Sequence, residues 1–302
     1  MLRVIGVGDN VVDRYLHKKV MYPGGNCVNF AVYARQLGYE SAYMGVLAND
    51  AEGILVRQSL MAEGVDVSMS PVIPGGETGR STTRIVNGDR IITDDNDCGS
   101  VKATPLQLTP ERLDHIRTFD LVHTSCYSFI DDQLPLIQST GVPVLYDFSD
   151  EWDEAVLRRI CPFVQIAFLS GKDLSEDDLK AYLKLAVSLG CFMAISTIGE
   201  RGAIVYDGRH FYTKPPYNPD GLIADTLGAG DSFITGFITS YMQGRKIYRE
   251  LSAQTPVQLT ASDDEEDYFS SLILQSMCVG NLLARKTCML PGAFGHEAAI
   301  LD

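Results

Sequence analysis

Short apolar runs alternate with segments of helical period along most of the chain. Val4 to Gly8, Ser41 to Val46 and Leu121 to His123 have the length and composition of buried strands. Between the first two runs, apolar residues recur at helical spacing up to Gly38, and a second helical segment runs from Ala51 to Glu63. The alternation predicts a parallel sheet covered by helices, with right-handed crossovers.

The same alternation continues in the second half of the chain. The predicted strands there are Pro143 to Asp147, Gln165 to Leu169, Phe192 to Ser196, Ala203 to Tyr206 and Phe211-Tyr212. A late helix is predicted from Tyr268 to Lys286. The polar, acidic segment before it, Ser252 to Asp267, predicts a surface excursion between two helices.

The alternation breaks between residues 71 and 99. Thr82 to Val86 and Arg90 to Thr93 are β-rich runs joined by Asn87-Gly88, which is a strong hairpin signal. No helical segment follows to cover this hairpin, so it predicts a small separate sheet. Together with residues around Val11 to Met21, that sheet would form either a flap over a substrate site or an interface with a second subunit.

Composition and charge narrow the classes of function. Of the 302 residues, 45% are hydrophobic and 21% are charged, which is an ordinary globular composition. The formal net charge of -14 argues against nucleic acid or an anionic membrane surface as a partner, since both reward Lys and Arg. No apolar run is long enough to span a bilayer, and Met1 leads directly into the first strand, so we expect a cytoplasmic protein.

The seven cysteines are scattered along the chain and include no Cys-x-x-Cys pair. This pattern suits reduced thiols better than a disulfide framework or a zinc site. We therefore expect neither of those two.

A glycine-rich turn opens a helix at Asp225-Thr226-Leu227-Gly228-Ala229-Gly230-Asp231, and Phe233 and Phe237 follow at helical spacing. Small residues let an anion approach the backbone, and the first amides of a helix have no intrahelical partner, so the turn predicts a phosphate-sized anion site. The Asp231 carboxylate beside it suits an acid that handles a hydroxyl while the amides hold a phosphoryl group. The alternative is an ordinary turn, with Asp225 as N-cap and Asp231 as a surface acid.

A second glycine pair, Gly24-Gly25, opens another helix. It is followed by Asn26 and Asn29, whose amides suit hydrogen bonds to neutral hydroxyls. The alternative is that Asn26 is an N-cap and Asn29 an exposed helix residue. Asp9 lies at the carboxyl end of the first strand, where open α/β sheets place their ligands, and Asp13 follows as a second polar contact or as a surface acid.

Thr197, Gly199 and Gly202 follow another predicted strand. These residues suit the lining of a triphosphate, and the alternative is a plain β-turn. By contrast, Gly6 and Gly8 lack the third glycine of a dinucleotide fingerprint, so the sequence does not favour a hydride-transfer cofactor.

Both glycine motifs resemble signatures of the ribokinase, or PfkB, family of carbohydrate kinases. Asp225-Thr226-x-Gly228-Ala229-Gly230-Asp231 is similar to the C-terminal signature, and Gly24-Gly25-Asn26-x-x-Asn29 is similar to the N-terminal one. The resemblance implies a ribokinase-like three-layer α/β/α fold with a central, mostly parallel sheet and a small β lid. It also implies one catalytic domain over residues 1–302, with the lid formed by segments of about 10–23 and 75–98.

Within that family the likeness is greatest to the fructoselysine 6-kinases. It is carried by Gly8-Asp9-Asn10-x-Val12-Asp13 and by Asp147-Phe148-Ser149-Asp150-x-Trp152-Asp153, besides the N-terminal signature. The resemblance implies ATP-dependent phosphorylation of a primary hydroxyl of a sugar or a sugar-amine adduct. An acidic run after the lid hairpin agrees with such an adduct, because its amino group would pair with Asp94, Asp95 or Asp97.

The resemblance also implies roles for individual residues. Asp231 would be the catalytic base, with an anion hole formed by Gly228, Ala229 and Gly230. The residues expected at the acceptor are Asp9, Asp13, Gly24, Gly25, Asn26, Asn29, Arg84, Arg90, Asp94 and Asp231. The residues expected at ATP are Ser170, Asp173, Thr197, Gly199, Gly202, Thr226, Gly228, Gly230 and Gly292.

The resemblance further implies Mg²⁺ with ATP, and a monovalent cation such as K⁺ that some members use. Asp173 would act on Mg²⁺ through water, although Ser170-Gly171-Lys172-Asp173 departs from the Asn-x-x-Glu that ribokinases often show. Asp225 and the Leu227 carbonyl would flank the monovalent cation. A homodimer through the lid is also expected, with no nucleic acid or membrane as partner.

The expected chemistry is in-line transfer of the γ-phosphoryl group of ATP to a hydroxyl held against Asp231. The helix dipole favours an ionised Asp231, which would be ready to accept a proton but only weakly basic. Lid closure would exclude water and prevent ATP hydrolysis. The alternatives are a kinase for another sugar, a nucleoside or a sugar acid (fructose, ribose or 2-keto-3-deoxygluconate) and a non-catalytic nucleotide or sugar sensor that keeps the fold.

Overall fold

The computed structural model describes residues 1–86, 89–94, 96–217, 223–254 and 262–300, and it describes their side chains outside 84–94, 254 and 262–264. Within these residues the strands are β1 (Arg3–Val7), β2 (Val11–Tyr15), β3 (Val20–Gly24), β4 (Glu40–Met44), β5 (Leu47–Ala48), β6 (Val72–Ile73), β7 (Arg80–Val86), β8 (Asp89–Asp94), β9 (Leu121–Ser125), β10 (Val144–Asp147), β11 (Ile166–Ser170), β12 (Met193–Thr197), β13 (Ala203–Tyr206), β14 (Phe211–Lys214) and β15 (Ala298–Ala299). The helices are α1 (Asn26–Gln36), α2 (Ala51–Ala62), α3 (Gly99–Ala103), α4 (Pro110–Ile116), α5 (Leu134–Gln138), α6 (Glu154–Ile160), α7 (Glu176–Ser188), α8 (Ala229–Gln254) and α9 (Ser262–Cys288).

The large sheet has the strand order β14-β13-β12-β11-β10-β9-β1-β4. The strands from β4 to β12 in this order are parallel, and β13 and β14 are added antiparallel at one edge. Parallel strands are buried on both faces, which explains why they occur in the sequence as continuous apolar runs. The predicted central, mostly parallel sheet is confirmed.

Helices cover both faces of this sheet. Because successive strand residues point to opposite sides, Val122 and Val144 belong to one apolar core, and Leu121 and Leu145 belong to another. The first core includes residues of α4 to α7, and the second includes residues of α8 and α9. The three-layer α/β/α architecture predicted from the sequence is therefore confirmed.

The parallel strands all terminate at the same side of the sheet, and polar residues lie at or just after these carboxyl ends, which we call one edge of the sheet. Asp9 follows β1, Ser125 ends β9 and Asp147 ends β10. Ligands of open α/β sheets bind at this edge. The fold therefore brings together, at one edge, polar residues that are far apart in the sequence.

A second sheet, with the order β15-β3-β2-β7-β8, contains the predicted lid segments. β7 and β8 form the predicted antiparallel hairpin, whose Asn87-Gly88 turn lies outside the described residues. β15 was not predicted, and it pairs with β3 through Ala298 and Ala299. That this sheet moves as a lid, that it forms a dimer and that residues 1–302 make one domain all stay predictions.

Glu52 of α2 ties the lid sheet to the rest of the protein. Its carboxylate is 5% exposed and accepts hydrogen bonds from Arg14 of β2 and from Arg80 Nε of β7, the second at 3.1 Å. Burial alone would raise the pKa of Glu52, but the two arginines hold that pKa below its ordinary value. Two lid strands are therefore anchored to one helix by an ion cluster around a buried acid.

The last two helices are longer than the sequence predicted. α8 continues to Gln254 and α9 begins at Ser262, so both ends of the expected surface excursion, Ser252 to Asp267, are helical. The prediction is wrong for these ends, because charged residues are well tolerated on the exposed face of a helix and acids favour its first turn. Residues 255–261 lie outside the part of the chain that the structure describes.

All seven cysteines are free in the structure. Four of them are buried and pack as small apolar side chains, namely Cys27, Cys98, Cys161 and Cys191. Among the described residues, no helix combines the length and the apolar character needed to cross a bilayer.

Candidate active site

Asp9 caps helix α1 from the end of the neighbouring strand. Its carboxylate accepts the Asn26 N–H at 2.7 Å and the Cys27 N–H at 3.2 Å. Gly25 is the N-cap residue with a φ of 110°, and a Cβ atom at this position would lie 2.8 Å from Asp9 Oδ2. Glycine therefore leaves the room that this cap needs. The predicted contact of Asp9 with an acceptor hydroxyl stays a prediction, since its oxygens already serve the helix.

Two serines at the end of β9 and just after it support Asp9, and sequence reasoning did not select them. Ser125 Oγ donates to Asp9 Oδ1 at 2.8 Å, and Ser128 Oγ lies 3.4 Å from the same oxygen. Both serines are fully buried. The signal that could have found them is a pair of small polar residues at the carboxyl end of a buried strand.

Asn26 and Asn29 lie one helical turn apart, and each donates to a carboxylate. Asn26 Nδ2 donates to Asp147 Oδ2 at 2.8 Å, and Asn29 Nδ2 donates to Asp231 Oδ2 at 2.6 Å. The second bond joins the two predicted signatures across 202 positions of sequence. Asn29 is 3% exposed, so the alternative of an exposed helix residue is wrong. Asn26 is not the N-cap either, because Gly25 has that position.

The carboxyl group of Asp231, in the first turn of α8, has a pKa raised to about 6. Burial is the main cause, the hydrogen bond from Asn29 opposes it, and the charge of Asp9 adds to it. The expectation of a weakly basic carboxylate is therefore wrong, because desolvation outweighs the helix dipole. At neutral pH the group is mostly ionised and still basic enough to accept a proton.

Asp147 is a residue of this site that sequence reasoning did not assign. It ends β10, is 2% exposed, and accepts the Ser149 N–H at 2.7 Å in addition to the Asn26 side chain. Burial raises its carboxyl pKa to about 8, and the charge of Asp231 adds to the rise. The available signal was an acid at the carboxyl end of a buried strand.

Gly228 and Gly230 shape the N-terminus of α8, which begins at Ala229. Gly228 has a φ of 71°, and a Cβ atom on it would lie 2.6 Å from the Tyr33 hydroxyl and 2.8 Å from Ala293 Cβ. A Cβ atom on Gly230 would meet no atom within 4 Å, so the space beside it is open. The first amides of a helix face outward at such an end, so these residues fit a phosphoryl group. The anion hole itself stays a prediction.

Asp225 begins the loop of the C-terminal signature, Asp225 to Gly228, and links this signature loop to the lid and to the loop that contains Gly292. It accepts the Leu227 N–H at 3.1 Å, the Gly292 N–H at 3.2 Å and the hydroxyl of Tyr15 in β2. Since α8 begins only at Ala229, Asp225 is not its N-cap. Three protein donors therefore already use this carboxylate. The monovalent-cation site expected at Asp225 and the Leu227 carbonyl stays a prediction.

The turns that follow β11 and β12 are tied to each other. Arg201 donates to the carbonyl oxygens of Lys172 at 2.8 Å and Leu174 at 3.1 Å. The Gly171 N–H donates to the carbonyl oxygen of Thr197 at 2.9 Å. The two predicted phosphate-lining segments therefore lie together at one edge of the sheet.

The residues predicted at ATP lie in these turns and in the two glycine loops near α8. The first group comprises Ser170, Asp173, Thr197, Gly199 and Gly202, and the second comprises Thr226, Gly228, Gly230 and Gly292. Gly199 begins a short 3-10 segment (Gly199–Arg201) with a φ of 59°, in which the Gly202 N–H donates to the Gly199 carbonyl oxygen at 3.0 Å, so the alternative of a plain turn stays open. Contact of these residues with ATP stays a prediction.

Asp13 of β2 faces the glycine pair before α1. A Cβ atom on Gly24 would lie 2.9 Å from Asp13 Oδ2 and 4.0 Å from Asn29 Oδ1. Asp13 is 5% exposed, so the alternative of a surface acid is wrong. The structure therefore brings these three predicted acceptor residues to one place.

Three further residues predicted at the acceptor belong to the lid hairpin, namely Arg84, Arg90 and Asp94, and the structure does not describe their side chains. Asp95 lies outside the described residues. Asp97 is described, and its Oδ1 accepts the N–H groups of Arg80 and Gly99, each at 3.2 Å. The Asp97 carboxylate therefore holds its own loop against the start of strand β7.

The arrangement of the acidic side chains limits how the described residues can bind a metal ion. In the described part of the chain, no group of three or more His, Cys, Asp or Glu side chains is arranged to hold a metal ion. Mg²⁺ in kinases is bound by one or two carboxylates together with substrate phosphates and water. Asp173 is exposed in the turn after β11, which fits the predicted contact through water.

Comparison with known proteins extends these observations. Residues 2–251 match the family described as pfkB family carbohydrate kinase. The chain is 40% identical over 240 residues to fructosamine kinase FrlD of Bacillus subtilis (strain 168), covering 80% of this chain and 84% of that protein. It is 31% identical over 249 residues to fructoselysine 6-kinase of Escherichia coli (strain K12), covering 82% of this chain and 93% of that protein.

Solved structures agree on the fold. The structure of Arabidopsis thaliana ribokinase complexed with ribose and ATP matches with a TM-score of 0.75 at 17% identity, and the match covers 97% of this chain and 95% of that one. Aminoimidazole riboside kinase from Salmonella enterica matches with a TM-score of 0.71 at 19% identity, covering 99% and 96%. The fold, the paired signatures and the sequence matches lead to one conclusion, that the chain belongs to the pfkB family of carbohydrate kinases, enzymes that transfer a phosphoryl group to a sugar hydroxyl.

Proposed function

We propose that this carbohydrate kinase transfers the γ-phosphoryl group of ATP to a primary hydroxyl of a fructosamine, as a fructoselysine 6-kinase does. The observation that carries the proposal is the hydrogen bond from Asn29 to Asp231, which joins the acceptor half of the site to a basic carboxylate at the N-terminus of α8. The names of the two relatives, fructosamine kinase and fructoselysine 6-kinase, support the acceptor class. The likeness to a ribokinase complexed with ATP supports the donor.

Asp231 acts as the general base in this proposal. Asn29 holds its Oδ2 and thereby fixes the orientation of the carboxyl group. As the acceptor oxygen bonds to the γ-phosphorus atom, the bond from that phosphorus to the β,γ-bridging oxygen breaks and ADP leaves on the opposite side. The hydroxyl proton passes to the Asp231 carboxylate. In a loose transition state this proton leaves late, so orientation of the hydroxyl contributes more than strong basicity.

The N-terminus of α8 stabilises the charge of the transferred group. Its first amides and the open space beside Gly230 suit the three phosphoryl oxygens. Removal of a single donor of this kind costs roughly 100- to 1,000-fold in rate in other enzymes. Mg²⁺, when bound with ATP near Asp173, would neutralise charge on the phosphates.

The lid sheet would exclude water from the transfer. Strand β2 carries Asp13 to the acceptor residues and Tyr15 to Asp225 in the signature loop. One lid strand therefore contacts both the acceptor half and the phosphoryl half of the site. Closure of this sheet over the bound substrates would protect ATP from hydrolysis.

The test of the base is Asp231→Asn, with Asp177→Asn on the exposed face of α7 as a matched control. We expect the first variant to keep its fold and its nucleotide binding and to lose at least about 100-fold in turnover, the usual scale for a general base. In the wild type, kcat/KM should rise with pH up to about 6, because the base must be ionised. Near-normal turnover of Asp231→Asn would remove Asp231 from the mechanism.

The test of the acceptor is ATP-dependent phosphorylation of a panel that contains fructoselysine, fructose, ribose, 2-keto-3-deoxygluconate and an uncharged nucleoside. We expect the highest kcat/KM with fructoselysine. A clear preference for any other member would overturn the fructosamine assignment. ADP release that no acceptor accelerates would contradict the proposed transfer altogether.

A further inference from the structure

Asp147 is a buried carboxyl group of the site that no Lys or Arg of the described residues compensates. Asp9 is surrounded by two helix amides and two serines, and Asp231 lies at the N-terminus of α8. Asp147 accepts only one backbone N–H, from Ser149, and one side-chain amide, from Asn26, among the hydrogen bonds of the described residues. In that part of the chain, no Lys or Arg forms a hydrogen bond or an ion pair with any of the three carboxylates. A buried carboxylate without a cation is unfavourable, so the site suits a ligand that brings one.

We infer that Asp147 is an acceptor-binding residue that receives the protonated amino group of a cationic sugar adduct. The inference rests on the proposed function, because it gives the amine of a fructosamine its place in the same site. It differs from the expectation that the acids after the lid hairpin bind the amine. Asp97, the acid of that run whose side chain is described, already accepts two backbone N–H groups.

The geometry of α1 places Asp147 within reach of a sugar whose hydroxyl meets Asp231. Asn26 and Asn29 lie at positions i and i+3, which share one face of a helix with Cβ atoms about 5–6 Å apart. One of them holds Asp147 and the other holds Asp231. A sugar whose hydroxyl meets Asp231 can therefore present a second polar group to Asp147 across this short distance.

An unpartnered polar atom indicates that a ligand belongs in this space. Asn29 is 3% exposed, and its Oδ1 has no hydrogen-bond partner although its Nδ2 donates to Asp231. The Oδ1 atom faces Gly24 and Asp13, because a Cβ atom on Gly24 would lie 4.0 Å from Asn29 Oδ1 and 2.9 Å from Asp13 Oδ2. Buried acceptors of this kind are normally satisfied, so a hydroxyl donor of the substrate fits here. The acceptor would then bind between Asp13 and Asp231, next to Asp147.

The charge state of Asp147 agrees with a cationic ligand. Burial raises its carboxyl pKa to about 8, which disfavours the ionised form in the protein alone. An ammonium group at hydrogen-bond distance would favour the ionised form and form a charge-assisted hydrogen bond with it. A neutral acceptor would leave Asp147 protonated.

The experiment compares two acceptors that differ at one atom. In 1-deoxy-1-(methylamino)fructose the substituent on carbon 1 is a protonated amine, and in 1-O-methylfructose it is a neutral ether. Both are assayed with ATP on the wild type, on Asp147→Asn and on Asp97→Asn as the control for the lid acids. We expect the wild type to prefer the amine, and Asp147→Asn to raise KM for the amine about 30-fold or more while changing KM for the ether little. Asp97→Asn should keep the wild-type preference.

The outcomes separate the inference from the proposed function. If the wild type prefers the amine and Asp147→Asn keeps that preference, the inference is overturned while the proposed function stands. If Asp147→Asn weakens both acceptors equally, Asp147 only positions Asn26, and the inference is again overturned. A wild type that prefers the ether overturns both. Asp147→Ser, which also removes the charge, gives the same comparison if Asp147→Asn does not fold.

Discussion

The buried carboxyl group of Asp147 makes the stability of the folded protein depend on pH. In the folded protein Asp147 keeps its proton up to about pH 8, whereas in the unfolded chain it loses the proton above its ordinary value of 3.8. The folded state therefore binds the extra proton, and the stability due to this group is complete below pH 3.8 and is lost as the pH rises toward 8. One pH unit in this window corresponds to about 1.4 kcal/mol, which gives at most about 4 kcal/mol between pH 5 and pH 8.

Asp147→Asn removes this dependence, because an amide does not titrate. We expect the free energy of unfolding of the variant, relative to the wild type, to increase by up to about 4 kcal/mol from pH 5 to pH 8. At pH 5 the variant should be less stable than the wild type by about 1 kcal/mol, since the amide replaces an acceptor that binds both Ser149 and Asn26.

Urea unfolding at pH 5, 6.5 and 8 measures this difference. Trp152 is the single tryptophan of the chain, and its Nε1 donates to the Ser170 carbonyl at 3.2 Å, so its fluorescence reports on loss of the fold near β11. Asp177→Asn, an exposed acid on α7, should follow the wild type at all three pH values. Parallel pH dependence of the wild type and Asp147→Asn would refute the argument, because it would mean that the carboxyl group titrates alike in the folded and unfolded states.

Two further predictions concern the signature loop. Gly228→Ala should lower the free energy of unfolding by more than 1 kcal/mol relative to Gly230→Ala, because the new methyl group would meet Tyr33 and strain a residue of positive φ, whereas the space beside Gly230 is open; equal urea midpoints would contradict this. Tyr15→Phe should cost about 1.5–3 kcal/mol of stability, since it removes a hydroxyl that donates to the Asp225 carboxylate, and an unchanged thermal unfolding midpoint would show that this bond contributes nothing.

The layers of the fold were predictable because each depends on a local pattern. The parallel strands are continuous apolar runs, and the lid hairpin follows from two β-rich runs with a turn between them. β15 has only two residues, Ala298 and Ala299, and no periodic pattern can indicate so short a strand. Its position depends on pairing with β3, a contact that only the folded chain creates.

Residues of the candidate site were predictable where they lie within a sequence motif. Asn29 and Asp231 were found because each belongs to a glycine-rich signature. Asp147 was not assigned although it ends a buried strand, because its partner Asn26 lies 121 positions away and the sequence does not show that the two side chains meet. The basicity of Asp231 was misjudged for a related reason, since burial is a property of the packed structure that the local helix signal does not contain.

The segment of residues 288–300 connects two parts of the site, because it contacts both the signature loop and the lid sheet. At its start, the Cys288 carbonyl oxygen accepts the Ala224 N–H, and the Gly292 N–H donates to Asp225. At its end, the segment forms β15 on the edge of the lid sheet. Glu297, between them, accepts the hydroxyl of Tyr22 in β3. If the lid sheet moves, as predicted, this segment would transmit the displacement to the loop at Asp225. Two ligands that bias one element alter each other's affinity by the same factor, so nucleotide and acceptor would bind with reciprocal cooperativity rather than independently.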